Sequence, residues 1–185
     1  TRLREDNERW LFIANNQKIY RVNVTCDGLQ DSGWSFDRQG SLTSGQRSEM
    51  ELFEDTATSS IKLAMPLFVT DLLGNNSVSI MSIDSVTGNV VSGSFDNINL
   101  GPQLPGPAPD AFVNGLEFSP DGSKLYITHN PSTTNSNPLS IYDYNTQNLT
   151  NVSGWSGISN FKNSQIQTAK DDNDNYSLWL ASDNY

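Results

Sequence analysis

Leu125-Tyr126-Ile127-Thr128 is a short apolar word, Leu-aromatic-aliphatic-small, and the chain repeats it as Leu11-Phe12-Ile13-Ala14, Leu67-Phe68-Val69-Thr70 and Leu178-Trp179-Leu180-Ala181. Successive copies start about 56, 58 and 53 residues apart, a period that belongs to propellers and other repeat arrays. A second segment follows three of the copies. Ile19-Tyr20-Arg21-Val22-Asn23, Ile80-Met81-Ser82-Ile83-Asp84 and Ile141-Tyr142-Asp143-Tyr144-Asn145 stack without a gap. Their period-two alternation suits a strand packed on both faces. Each ends on Asn or Asp, which favour turns by bonding to the backbone two residues on.

Working outward, Met50-Glu51-Leu52-Phe53, Gly115-Leu116-Glu117-Phe118 and Gln165-Ile166-Gln167-Thr168 supply a strand ahead of the word. Outer strands are expected at Leu29 to Gly33, Asn89 to Gly93 and Leu149 to Gly154. Between the first two strands of the third unit, Ser119-Pro120-Asp121-Gly122-Ser123 is a hairpin signal, with Pro presetting one turn angle and Gly accepting a positive one. Lys170 to Asn175 takes the same place in the last unit. Leu100 to Pro109, rich in Pro and Gly, reads as a connection between blades rather than a strand.

The expected fold is all-β: a β-propeller of four-stranded antiparallel blades with about three blades present, a partial ring spanning 1–185. Its parts are a blade remnant at 9–36, blades at 48–96 and 113–155, and the start of another at 164–185. Three blades cannot wrap a central channel, so the expectation is a piece of a longer polypeptide or a ring completed by another chain.

Composition fits exposed sheet faces. Net charge is −10, only 17% of residues are charged, and the chain holds 21 Asn. No amphipathic helix is visible. An acidic chain repels phosphate backbones, which argues against nucleic-acid partners. No apolar run reaches the length of a membrane span, and no leader pattern stands at Thr1. Cys26 is the sole cysteine and lies in an expected turn, so it can neither staple the fold nor hold a metal by itself. Five N-x-Ser/Thr sequons are about what this composition produces by chance.

Candidate site residues are few. His129, with Asn130, follows the third word at a strand end, and Asp71 and Asp183 hold the same offset elsewhere. Together they can rim a shared pocket, or simply enter loops. One imidazole makes neither a metal site nor an acid/base pair. Asp171, Asp172 and Asp174 alternate with Asn in a way that resembles a calcium loop, though the Gly and closing Glu of an EF-hand are missing and a solvated hairpin tip competes. No other cofactor is expected. Trp34 and Trp155 each follow a Gly that ends an expected outer strand, where an indole either stacks on a sugar or partner, or covers a neighbouring blade.

The run Asn114 to Thr128, then Leu139-Ser140-Ile141-Tyr142-Asp143-Tyr144, then Ser164 to Ala169, resembles the WD40-like/YVTN-like propeller of large secreted Bacteroidetes-type proteins, which often carry a gliding-motility or type IX secretion sorting domain. The likeness covers about 111 to 182. It implies an extracellular or cell-surface propeller in an adhesin-like protein, with no shared catalytic residues to carry over. The expected function is an interaction or adhesion module binding a glycan, a protein partner or its own copies. The alternative is a lactonase-like propeller hydrolase with its site at the channel mouth.

Overall fold

The alternating segments become thirteen strands in a computed structural model that describes residues 9–15, 18–37, 49–55, 60–68, 75–102, 113–129, 139–152, 165–173 and 175–181. Among these residues there is no helix. The strands form four antiparallel meanders. Sheet 1 holds β1 (Arg9–Ala14), β2 (Lys18–Thr25) and β3 (Gly28–Asp37). Sheet 2 holds β4 (Glu51–Asp55), β5 (Ser60–Phe68), β6 (Asn75–Asp84) and β7 (Asp96–Pro102). Sheet 3 holds β8 (Val113–Phe118), β9 (Lys124–His129), β10 (Leu139–Asp143) and β11 (Asn148–Asn151), and sheet 4 pairs β12 (Gln165–Lys170) with β13 (Tyr176–Ala181).

Sheets 2 and 3 are packed on both faces, so the alternating side chains of their inner strands point into two different cores. Trp10, Phe12 and Ile19 of sheet 1 meet Ile61, Leu63, Met65, Met81 and Ile83 on one face of sheet 2. The opposite face of sheet 2, with Ala64, Val78, Ile80 and Ile98, meets Leu116, Phe118, Leu125, Ile127 and Tyr142 of sheet 3. Sheet 4 lies on the far side of sheet 3, where Glu117 of β8 accepts hydrogen bonds from the Thr168 amide (2.9 Å) and, more closely, its hydroxyl. Two strands here approach almost backbone to side chain: a Cβ on Gly115 would stand 2.9 Å from Ile166 Cγ2. The result is a propeller-like arc of blades, ordered 1-2-3-4 and not closed.

Polar clasps lock the seams at their outer ends. Between sheets 1 and 2, the Arg21 guanidinium lies 4.5 Å from the Trp10 ring centroid and donates to Asn89 Oδ1 at 2.9 Å and to the Thr87 carbonyl. Between sheets 2 and 3, Lys62 donates to the Gly122 carbonyl at 3.1 Å, its ammonium sitting 4.6 Å from the Tyr144 ring, while Tyr142 donates to Asp96 at 3.4 Å. The expected Ser119–Ser123 turn is present. Ser119 Oγ and the Ser123 amide and hydroxyl all donate to the Asp121 carboxylate, whose pKa these bonds pull down to about 2.

Four expectations change. The outer strand of sheet 2 is Asp96–Pro102 rather than 89–93, since Val90 makes only an isolated bridge to Ile83 and two turns intervene. For the same reason Leu100, Gly101 and Pro102 are strand, not connection. Gly33 does not end the outer strand of sheet 1: β3 runs on to Asp37 past a bulge opposite Tyr20 and Val22, with Trp34 inside it. Finally, the word does not keep one register: Leu125 opposes Tyr142 in sheet 3, but Leu63 opposes Met81, which puts Leu67 and Phe68 four residues late in sheet 2, and Ile13 opposes Tyr20, which puts Leu11 two residues early in sheet 1.

Candidate functional site

Among the described residues, the sequence-derived candidates His129, Asp171 and Asp172 do not converge. His129 ends β9 buried, facing sheet 2 rather than an open rim, with Nε2 2.8 Å from Ser140 Oγ, which donates to Asn151 Oδ1 at 2.8 Å. This relay ties three strands of sheet 3 together and satisfies a core histidine. Asp171 occupies the β12–β13 turn, where Oδ1 accepts the Asn173 and Asn175 amides, both at 2.8 Å, and these bonds lower its pKa. Its oxygens therefore serve the hairpin tip; Asp172 is an exposed neighbour in the same turn. Among the described residues no group of three or more His, Cys, Asp or Glu is placed to hold a metal ion. Asn130, Trp155, Asp71, Asp174 and Asp183 lie outside the described residues, as does the side chain of Trp34.

Two other features emerge in three dimensions. The first is a carboxylate seam at the β4–β8–β12 edge of the stack. Glu51, opposite Ala64, points with it toward sheet 3, and Glu117 points toward sheet 4. Burial raises the Glu49 carboxyl, against a hydrogen bond from the Leu116 amide, and Glu117 raises it further. Glu51 is pushed up to about 7 by burial first, then by the like charges of Glu117 and Glu49. Glu49 Oε2 is buried with no hydrogen-bond partner among the described residues. A cleft of about 260 Å³ opens beside it, lined by Glu49 and Glu117 and by Gln165, Gln167 and Trp179 of sheet 4.

The second feature is a pair of uncovered sheet faces. Three cross-strand pairs occupy one position of the repeat: Ile13 with Tyr20, Leu63 with Met81, and Leu125 with Tyr142. The inner two pairs are 0%, 0%, 0% and 7% exposed, because each is covered by the sheet before it; Ile13 and Tyr20 are 47% and 38% exposed. Leu11 and Leu29 extend the same face. At the other end of the stack, Trp179 is 66% exposed on the face of sheet 4 that turns away from Ile166 and sheet 3.

The fold defines the class: an open, all-β stack of propeller-like blades. The chain matches no protein-family model, and no curated protein sequence matches it. No helix among the described residues is long and apolar enough to cross a membrane. Uncovered end faces follow from the expected unclosed ring; sequence reasoning missed the carboxylate seam. A Glu inside an otherwise apolar inner strand, as in Glu51-Leu52-Phe53 and Leu116-Glu117-Phe118, was the available signal for the seam.

Proposed function

We propose that this chain is an interaction module of an extracellular or cell-surface protein, and that it binds a protein partner through the uncovered face of sheet 1. One observation carries the reading: side chains that the repeat buries wherever a neighbouring sheet exists are exposed at Ile13 and Tyr20. Contiguous apolar surface of this kind on a soluble protein marks a contact site. Location outside the cell is supported by the resemblance of residues 114–169 to secreted propellers and by the scarcity of charged side chains.

A photo-reactive side chain installed at position 13 tests this on intact cells producing the protein. Trapping of a defined partner, lost when Tyr20 is replaced by Glu, is the expected result; a position 13 that captures only solvent contradicts it. One observation favours a hydrolase instead, namely a cleft lined by the carboxylates Glu49 and Glu117, with Glu49 raised by burial and with Glu51, raised to about 7, feeling the charge of both, the situation of a general acid or base. Lactone or ester turnover that disappears in Glu51→Gln would establish that second reading.

A further inference from the structure

Every seam inside the molecule has the same polarity. Sheet 1 presents Phe12 and Ile19 forward to sheet 2, and sheet 2 presents Leu63 and Met81 backward to receive them. Sheet 2 then presents Ala64 and Ile80 forward, and sheet 3 receives them with Leu125, Ile127 and Tyr142. Sheet 4 receives the forward face of sheet 3 with Ile166. Among the described residues, one backward face, that of sheet 1, and one forward face, that of sheet 4, have no counterpart.

The word at the head of the sequence sets the chemistry of those two faces. In sheets 1, 3 and 4 its second residue is aromatic and points forward: Phe12 is buried under sheet 2, Tyr126 is half-buried under sheet 4, and Trp179 is exposed. Its first and third residues point backward: Leu125 and Ile127 are buried against sheet 2, while Leu11 and Ile13 are exposed. The exposed indole therefore belongs to the side-chain set that, one seam at a time, packs on residues of the Leu11, Ile13 and Tyr20 type. Gln167 lies opposite Trp179 and Gln165 beside it, giving an aromatic centre a polar rim, the usual layout of a protein contact. Within one molecule the two faces do not meet, since sheets 2 and 3 stand between them and the arc is open.

We propose that the backward face of sheet 1 is occupied by the forward face of sheet 4 from a second copy of this chain, continuing the stack head to tail. The proposal rests on the interaction reading above and names its partner. Such a contact is heterologous: the two patches differ, so copies add in a row or close into a ring according to the rotation per step.

Sedimentation of the whole chain across a concentration series tests it through a mixing experiment. Wild type is expected to form dimers and higher species. Ile13→Glu and Trp179→Glu each remove one patch, so each alone is expected to sediment as a monomer. An equimolar mixture is expected to give a dimer and stop there, because one intact patch of each kind remains. Circular dichroism of both variants must match wild type; if either unfolds, Tyr20→Glu and Trp179→Ala replace them. A wild type that stays monomeric throughout, or single variants that associate as wild type does, overturns the proposal. A monomeric chain whose position 13 still crosslinks to a different protein would overturn only the choice of partner, whereas failure of both measurements would remove the interaction reading itself.

Discussion

Glu51 carries the largest upward displacement that falls near neutral pH, and its sign sets how this protein responds to acid. Folding raises the carboxyl from its ordinary 4.5 to about 7, so the folded state prefers it protonated. Stability from this group is full below about pH 4.5, is lost as pH rises through 7, and the ionised form then opposes folding. Glu51→Gln removes the opposition. Urea midpoints should show the variant more stable than wild type at pH 8 by about 1–2 kcal/mol after solvent screening, and no different near pH 4. An unchanged pH slope would show that Glu51 does not titrate in this window. Gly122 makes a second residue-level case. Its φ is +65°, and an added Cβ would fall on the Phe53 ring from the neighbouring sheet. Gly122→Ala should cost about 2 kcal/mol or more in chemical denaturation, from the left-handed backbone and the crowded seam together. At this scale the turn around Asp121 was legible, because Pro, Asp and Gly act on their own backbone. The glutamates were not, since 66 residues separate Glu51 from Glu117 and only the stacking of β4 on β8 brings their charges together.

Strand positions make the repeat testable element by element. Leu63 and Ile13 hold the same place on neighbouring sheets, one 0% and the other 47% exposed. Leu63→Ala should destabilise by about 2–5 kcal/mol, the range for emptying a packed site, whereas Ile13→Ala should cost under about 1 kcal/mol in the monomer. Equal losses in thermal or urea unfolding would mean that the two are not repeat equivalents. The facing of the third strands was legible: Ile19, Ile80 and Ile141 each point forward and Tyr20, Met81 and Tyr142 backward, as period-two alternation requires, whereas their ends were not, since Asn23 lies inside β2, β6 begins at Asn75 and β10 stops at Asp143 before Tyr144. The outer strand of sheet 2 was hidden because local chemistry outweighs β-propensity there. Asp84 Oδ1 takes the Thr87 amide at 2.6 Å to make one turn, and Ser94 Oγ then donates to the Val91 carbonyl at 2.7 Å to make another, delaying the strand to Asp96.

Across the whole molecule, two cores alternate with three sheets, and each core is shared by the forward face of one sheet and the backward face of the next. The order of the blades was readable from the recurring word and its neighbours. What the two end faces would meet was not, because sequence periodicity reports which side chains want cover and says nothing of where a stack stops. The central claim is that one repeat position is buried inside the arc and bare at its start. Methyl-detected NMR with a soluble paramagnetic relaxation agent, at a concentration where the chain sediments as a monomer, reads this directly. The account predicts strong relaxation of the Leu11, Ile13 and Leu29 methyls and protection of Leu63, Met81, Leu125 and Ile127. Protection of Ile13 equal to that of Leu125 would contradict it.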